Sequence, residues 1–87
     1  MTPFGLEIPP HVARVIRHLP PDVKHRVKEA LRALVLDPNL GEPLSGELSG
    51  LWRYRVRRYR IIYALNRQKR GIQLYAVGHR RDIYSKR

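Results

Sequence analysis

Arg53, Arg55 and Arg60, followed by His79-Arg80-Arg81 and Tyr84, are the residues of this 87-residue chain whose types and spacing can do chemistry. Arg53 and Arg55 stand two apart, with Trp52, Tyr54 and Val56 in the alternate positions. A period of two is a strand with one cationic and one apolar face. Paired with the next strand as a hairpin, it sets Arg53, Arg55 and Arg60 side by side. Guanidinium groups so placed repel by about 1 kcal/mol or less per exposed pair. Folding gains nothing from that arrangement. A phosphodiester backbone would offset it, because Arg forks bind phosphate oxygens bidentately. Arg80, Arg81 and Tyr84 arrive at the end of the sheet, where they can close a cleft. His79 has the side chain best suited to move protons near neutral pH. Its other reading is a turn residue whose ring packs or hydrogen-bonds.

The charge is divided unevenly. Residues 1–50 carry six Lys/Arg (Arg14, Arg17, Lys24, Arg26, Lys28 and Arg32) against six acids. Residues 51–87 carry twelve Lys/Arg against Asp82 alone, so the whole formal net charge of +11 lies there. A solvated sheet face mixes Glu, Lys, Thr and Ser, whereas residues 51–81 contain no acid at all. Such a surface points to a polyanion. An anionic membrane is the weakest partner, since the cations lie on strands and not along an amphipathic helix.

No cysteine is present, which excludes a disulfide framework, a thiolate metal site and a thiol nucleophile. His11, His18 and His25 recur every seven residues without a carboxylate geometry that would hold a metal, and read as solvent-facing. No cofactor and no metal are expected. The N-terminus lacks the basic and apolar regions of a signal peptide, and no stretch is long enough to span a membrane. A cytosolic location is the expectation.

These side chains need a scaffold, and 87 residues suffice for one domain, 1–87. Phe4, Leu6 and Ile8 alternate as a short strand. Val12, Val15, Ile16 and Leu19 fall on one helical stripe, with Pro10 in the first turn and Pro20-Pro21 as the stop. Val23, Val27, Ala30, Leu31, Leu34 and Val35 form a second stripe, ended by Asp37-Pro38-Asn39. Residues 38–50 read as a long loop anchored by Leu40, Leu44 and Leu48. Strands follow over 51–56, 59–65 and 72–77. In the last, Ile72, Leu74 and Ala76 share one side, with Tyr75 and Val77 on the other. Tyr63 and Tyr75 read as core or groove walls. The order β-α-α-β-β-β predicts an α+β fold, an antiparallel sheet with a helical hairpin on one face.

Three blocks carry a resemblance: Leu44-Ser-Gly-Glu-Leu-Ser-Gly-Leu-Trp52-Arg-Tyr-Arg-Val56, Tyr59-Arg60-Ile-Ile-Tyr63, and Gly78-His79-Arg80-Arg81-Asp82-Ile-Tyr84. In this order they resemble the RelE/ParE superfamily, the toxins of type II toxin–antitoxin systems. The resemblance implies a RelE-like fold. It implies a partner as well, an antitoxin with an acidic, amphipathic inhibitory segment, in a hetero-oligomer. The RelE branch cleaves mRNA in the ribosomal A site without a metal and so inhibits translation. By match to that branch, Arg53, Arg55, Arg60, Arg80 and Tyr84 fall on its site positions. His79 is a further catalytic candidate, and Arg57, Arg58, Arg81, Lys86 and Arg87 are candidates for RNA binding. The ParE branch poisons DNA gyrase by binding it. A non-catalytic RNA-binding domain is the remaining alternative. One departure stands out: Arg57-Arg58 occupies the turn between the basic strands, where a two-residue hairpin wants positive φ that Arg tolerates poorly.

Overall fold

The computed structural model describes residues 3–83, with side chains described through Arg81. Prolines set both helix starts. Pro10 opens α1 (Pro10–Arg17) and Pro21 opens α2 (Pro21–Leu36), each in the first turn, where no N–H is required. Val12 and Ile16 of α1 and Val27, Ala30, Leu31 and Leu34 of α2 are buried. Val15 is exposed, so the stripe of α1 is narrower than its spacing predicts.

The helices cover one face of a five-stranded sheet of order β1-β5-β4-β3-β2. Its strands are β1 (Gly5–Glu7), β2 (Glu42–Pro43), β3 (Leu51–Val56), β4 (Tyr59–Asn66) and β5 (Gly71–His79). The expected α+β layering is present, and the β2–β3, β3–β4 and β4–β5 pairs are antiparallel. One pairing differs. β1 runs parallel to β5, Gly5 against Gly71 and Glu7 against Gln73, because the helical hairpin carries the chain across to the far side of the sheet before β3 begins. The strands expected over 51–56 and 59–65 are present, the second extending one residue further to Asn66.

The segment 38–50 is more ordered than a loop. It holds two single 3-10 turns, Pro38–Leu40 and Gly46–Leu48, flanking β2. Of its three expected anchors Leu44 is half-buried, but Leu40 and Leu48 do not serve, being 46% and 41% exposed. The anchor is Pro38, which is buried and whose carbonyl accepts a 2.7 Å hydrogen bond from the Tyr63 hydroxyl. A phenol in the core needs such a partner, and a backbone carbonyl reaches it where a leucine cannot.

β5 contains a bulge that its sequence conceals. Ile62 pairs with Ala76 but Tyr63 pairs with Leu74, so Tyr75 is an extra residue, 61% exposed. The bulge inverts the alternation beyond it. Ile72, Leu74 and Val77 all enter the core, where strict alternation would have separated Val77 from the other two.

The Arg57-Arg58 turn is a two-residue hairpin closed by Val56 against Tyr59, with Arg57 at φ 57. A non-glycine residue there costs about 1–2 kcal/mol, partly matched by the roughly 0.5–1 kcal/mol that Gly loses in ordering. Arg57→Gly should therefore raise stability by up to about 1 kcal/mol, read as a higher urea midpoint at unchanged m-value.

Burial pushes the Tyr63 phenol up to about 12, against a backbone hydrogen bond from Gly41 that lowers it. The folded state thus holds this proton more tightly than the unfolded chain, whose tyrosines titrate near 10.0. The associated stability is complete below about pH 10 and is lost as pH rises toward 12. Of five tyrosines, one should give tyrosinate absorbance only near 12, and Tyr63→Phe should remove that late step.

Candidate functional site

The β3–β4 register decides which side chains share a face. Trp52, Tyr54 and Val56 stand opposite Tyr63, Ile61 and Tyr59, and these pairs lie toward the helices. The intervening pairs, Arg53–Ile62 and Arg55–Arg60, occupy the outer face. Val56–Tyr59 closes a two-residue turn and is a hydrogen-bonded pair, so Arg55–Arg60 is a non-hydrogen-bonded one, with Cα atoms about 4.5 Å apart. Across β4, Arg60 faces Gly78 of β5.

Arg60 is half-buried, and its Nη1 donates to the carbonyls of Tyr59 (3.1 Å) and Arg57 (3.3 Å). Its Nε–H is buried and has no acceptor among the described residues. An unmet buried donor is costly. Arg53 donates from Nη2 (2.8 Å) and Nε (3.3 Å) to one oxygen of Glu42, on β2. The hydrogen bond and charge of Arg53 hold the Glu42 carboxyl below its ordinary value, with smaller contributions from Arg55 and Arg60. Glu42 was missed by sequence reasoning, and nothing in its spacing marks it. Its place in a two-residue strand opposite Arg53 emerges only from the pairing.

The strand end is tied to the hairpin tip. The Arg80 N–H donates to the Arg58 carbonyl at 2.8 Å, which brings Arg80 and Arg81, on the short helix α3 (Arg80–Ile83), beside Arg57 and Arg58. The exposed Arg55, Arg57, Arg58, Arg80 and Arg81 thus gather with Arg60 at one end of the sheet. His79 stands on the other face. It pairs with Tyr59, its ring edge-on at 5.4 Å, and its Nδ1 accepts from the Arg81 N–H at 3.2 Å. Tyr84, Lys86 and Arg87 lie outside the described residues. Two of the other histidines have local partners: His18 Nδ1 lies 2.9 Å from the Arg14 carbonyl, and His25 lies 3.2 Å from Glu29.

The arginine end is built from exposed side chains. A cavity of about 660 Å³ lies at the opposite end of β4 and β5, where Asn66, Lys69 and Gln73 help to line it. Arg67 and Arg70 also lie at that end and serve the fold. Arg67 donates to Asn39 (2.6 Å) and sits over Trp52, while Arg70 sits 4.4 Å over the Phe4 ring.

Residues 6–87 match the family described as the ParE-like toxin of type II bacterial toxin–antitoxin systems. The chain is 31% identical over 84 residues to toxin RelG of Mycobacterium tuberculosis, spanning 94% of this chain and 97% of that protein. This chain belongs to the RelE/ParE superfamily of type II toxins. Its fold superposes with a TM-score of 0.82 on a chain of the RelBE2 toxin–antitoxin complex from the same organism, at 30% identity and covering 94% and 97% of the two chains. The isolated E. coli RelE toxin shares the fold at a TM-score of 0.76 and 19% identity, over 94% of this chain and 92% of that one.

In this toxin, Arg55 and Arg60 stand directly opposed across β3 and β4. Like charges directly opposite on a sheet cost roughly 0.2–1 kcal/mol. Arg55→Thr should raise the denaturation midpoint by a ΔΔG in that range. The same variant should bind heparin or RNA more weakly, with a salt slope shallower by about 0.7. A gain in both properties would mean that Arg55 meets no polyanion.

Proposed function

We propose that this toxin is a metal-independent endoribonuclease that cleaves mRNA in the ribosomal A site and so inhibits translation. The observation that carries the reading is the directly opposed pair Arg55–Arg60, with a buried Arg60 Nε–H that has no acceptor among the described residues. A phosphate oxygen would supply that acceptor and relieve the repulsion together. The likeness to toxin RelG supports the same reading.

In the reaction, the RNA 2′-oxygen attacks the adjacent phosphorus as its proton leaves. The P–O5′ bond breaks, and the 5′-oxygen takes up a proton, leaving a 2′,3′-cyclic phosphate and a 5′-OH. Negative charge concentrates on the phosphorane, so fixed cations are the main requirement. Arg60 and Arg80 clamp the phosphate. Arg53 and Arg55 stabilise the developing charge. Tyr84 orients the 2′-OH or stacks on a base. His79 contributes by holding the Arg80-Arg81 turn through its Nδ1, since its ring lies away from Arg60. Arg57, Arg58, Arg81, Lys86 and Arg87 hold the RNA or ribosome.

The partner we propose is a cognate antitoxin whose acidic, amphipathic segment covers part of the cationic face in a hetero-oligomer. The M. tuberculosis and E. coli relatives were solved as toxin–antitoxin complexes.

Primer extension on mRNA from translating ribosomes mixed with the toxin should show new 5′ ends in codon register. Removing one preorganised donor costs roughly 10²–10³-fold in rate, and Arg60→Ala should lose that much with its fold intact. The ParE-like description of the matching family gives the second reading. Intact mRNA together with inhibited supercoiling by gyrase would establish that one instead.

A further inference from the structure

Arg53 sits beside the weakest strand of the sheet. β2 is two residues long, and one of them, Pro43, has no N–H to donate to the ladder. Backbone pairing alone is a poor support for Glu42, yet the Glu42 carboxylate meets Arg53 at 2.8 Å. Something else must hold this strap in place.

Tyr63 does so from β4. Its buried hydroxyl donates to the Pro38 carbonyl, fixing the start of the strap. The strap is also pressed against the same phenol at Gly41. A Cβ there would run into the Tyr63 hydroxyl and come within 2.8 Å of the carbonyl of Arg53 itself. Gly41 is therefore wedged between Tyr63 and the backbone of Arg53, and the next residue is Glu42. At its other side, Asn39 accepts from Arg67 (2.6 Å), and its backbone N–H donates to Asp37 (3.2 Å).

The ion pair itself is a poor stabiliser, because the Glu42 side chain is 57% exposed. Its consequence is geometric. Two donors of one guanidinium on one carboxylate oxygen set the plane of that guanidinium against the carboxylate. We propose that Tyr63 is a positioning residue for Arg53: it holds the strap from Pro38 to Glu42 so that the Glu42 carboxylate fixes the guanidinium on the arginine face. The catalytic consequence rests on the ribonuclease reading, but the positioning itself does not.

The test reads Glu42 and Arg53 directly by NMR, in the full chain. The charges that face Glu42 are Arg53 and Arg55 of β3 and Arg60 of β4. In the parent protein the Glu42 carboxyl should titrate below the ordinary range, and the Arg53 Nε–H should exchange slowly. In Tyr63→Phe the Glu42 titration should return toward the ordinary value, and Arg53 Nε–H exchange should quicken several-fold. Glu42→Gln should quicken it as well, with Tyr63 untouched. Where Tyr63→Phe fails to fold, Gly41→Ala moves the strap while keeping the hydroxyl, and the same two signals apply. A folded variant of either kind with parental Glu42 titration and Arg53 exchange would overturn the proposal and leave Tyr63 a core residue. In the cleavage assay, the folded variants should lose kcat with little change in KM. A parent chain that cleaves no RNA would defeat the ribonuclease reading while leaving the NMR result to stand on its own.

Discussion

Five arginines between positions 53 and 60 must share one end of a sheet, and the rest of the structure is arranged around that repulsion. Each exposed like-charged pair costs about 1 kcal/mol or less. The reverse side of the same two strands carries Val56, Ile61 and Tyr63, all buried, against Val12, Val27 and Leu34 of the helices. Each such side chain contributes roughly 1.5–3 kcal/mol on burial, so the apolar side outweighs the cationic one. β4 lies between β3 and β5 and is paired on both edges. The strand that bears Arg60 is thus fixed from both sides, and its guanidinium stays where folding alone would not place it.

Much of this was legible in the chain. Alternation over 51–56 separated Trp52, Tyr54 and Val56 from the arginines, and the pairing keeps that separation. Prolines at 10, 20, 21 and 38 marked the helix boundaries, because a missing N–H is tolerated in only a few places. What stayed hidden has one cause. Periodicity assigns a residue to a face but does not choose the neighbouring strand. The parallel pairing of β1 with β5, the two-residue β2, and the approach of Glu42 to Arg53 are all facts of neighbourhood. The anchoring of residues 38–50 failed for a related reason. Hydrophobicity pointed to Leu40, Leu44 and Leu48, of which Leu40 and Leu48 are exposed, whereas the hydrogen bond that ties the segment to β4 joins a hydroxyl to a carbonyl.

The bulge at Tyr75 had the largest hidden consequence, because it moved a titratable group. Counting in twos from the buried Ile72 sends His79 to the face opposite Ile72, beside the arginines. The extra residue reverses this, so that Gly78 lies against Arg60 and His79 lies against Tyr59. The outer face at that end is left with guanidinium groups, which keep their charge across the physiological range. Among the described side chains, the acid that reaches it is Glu42, whose carboxyl Arg53 holds below its ordinary value and so ionised. The field presented to a polyanion is therefore nearly constant near neutrality. One added residue in a strand, invisible to periodicity, thus fixes both the composition of the cationic face and its insensitivity to pH.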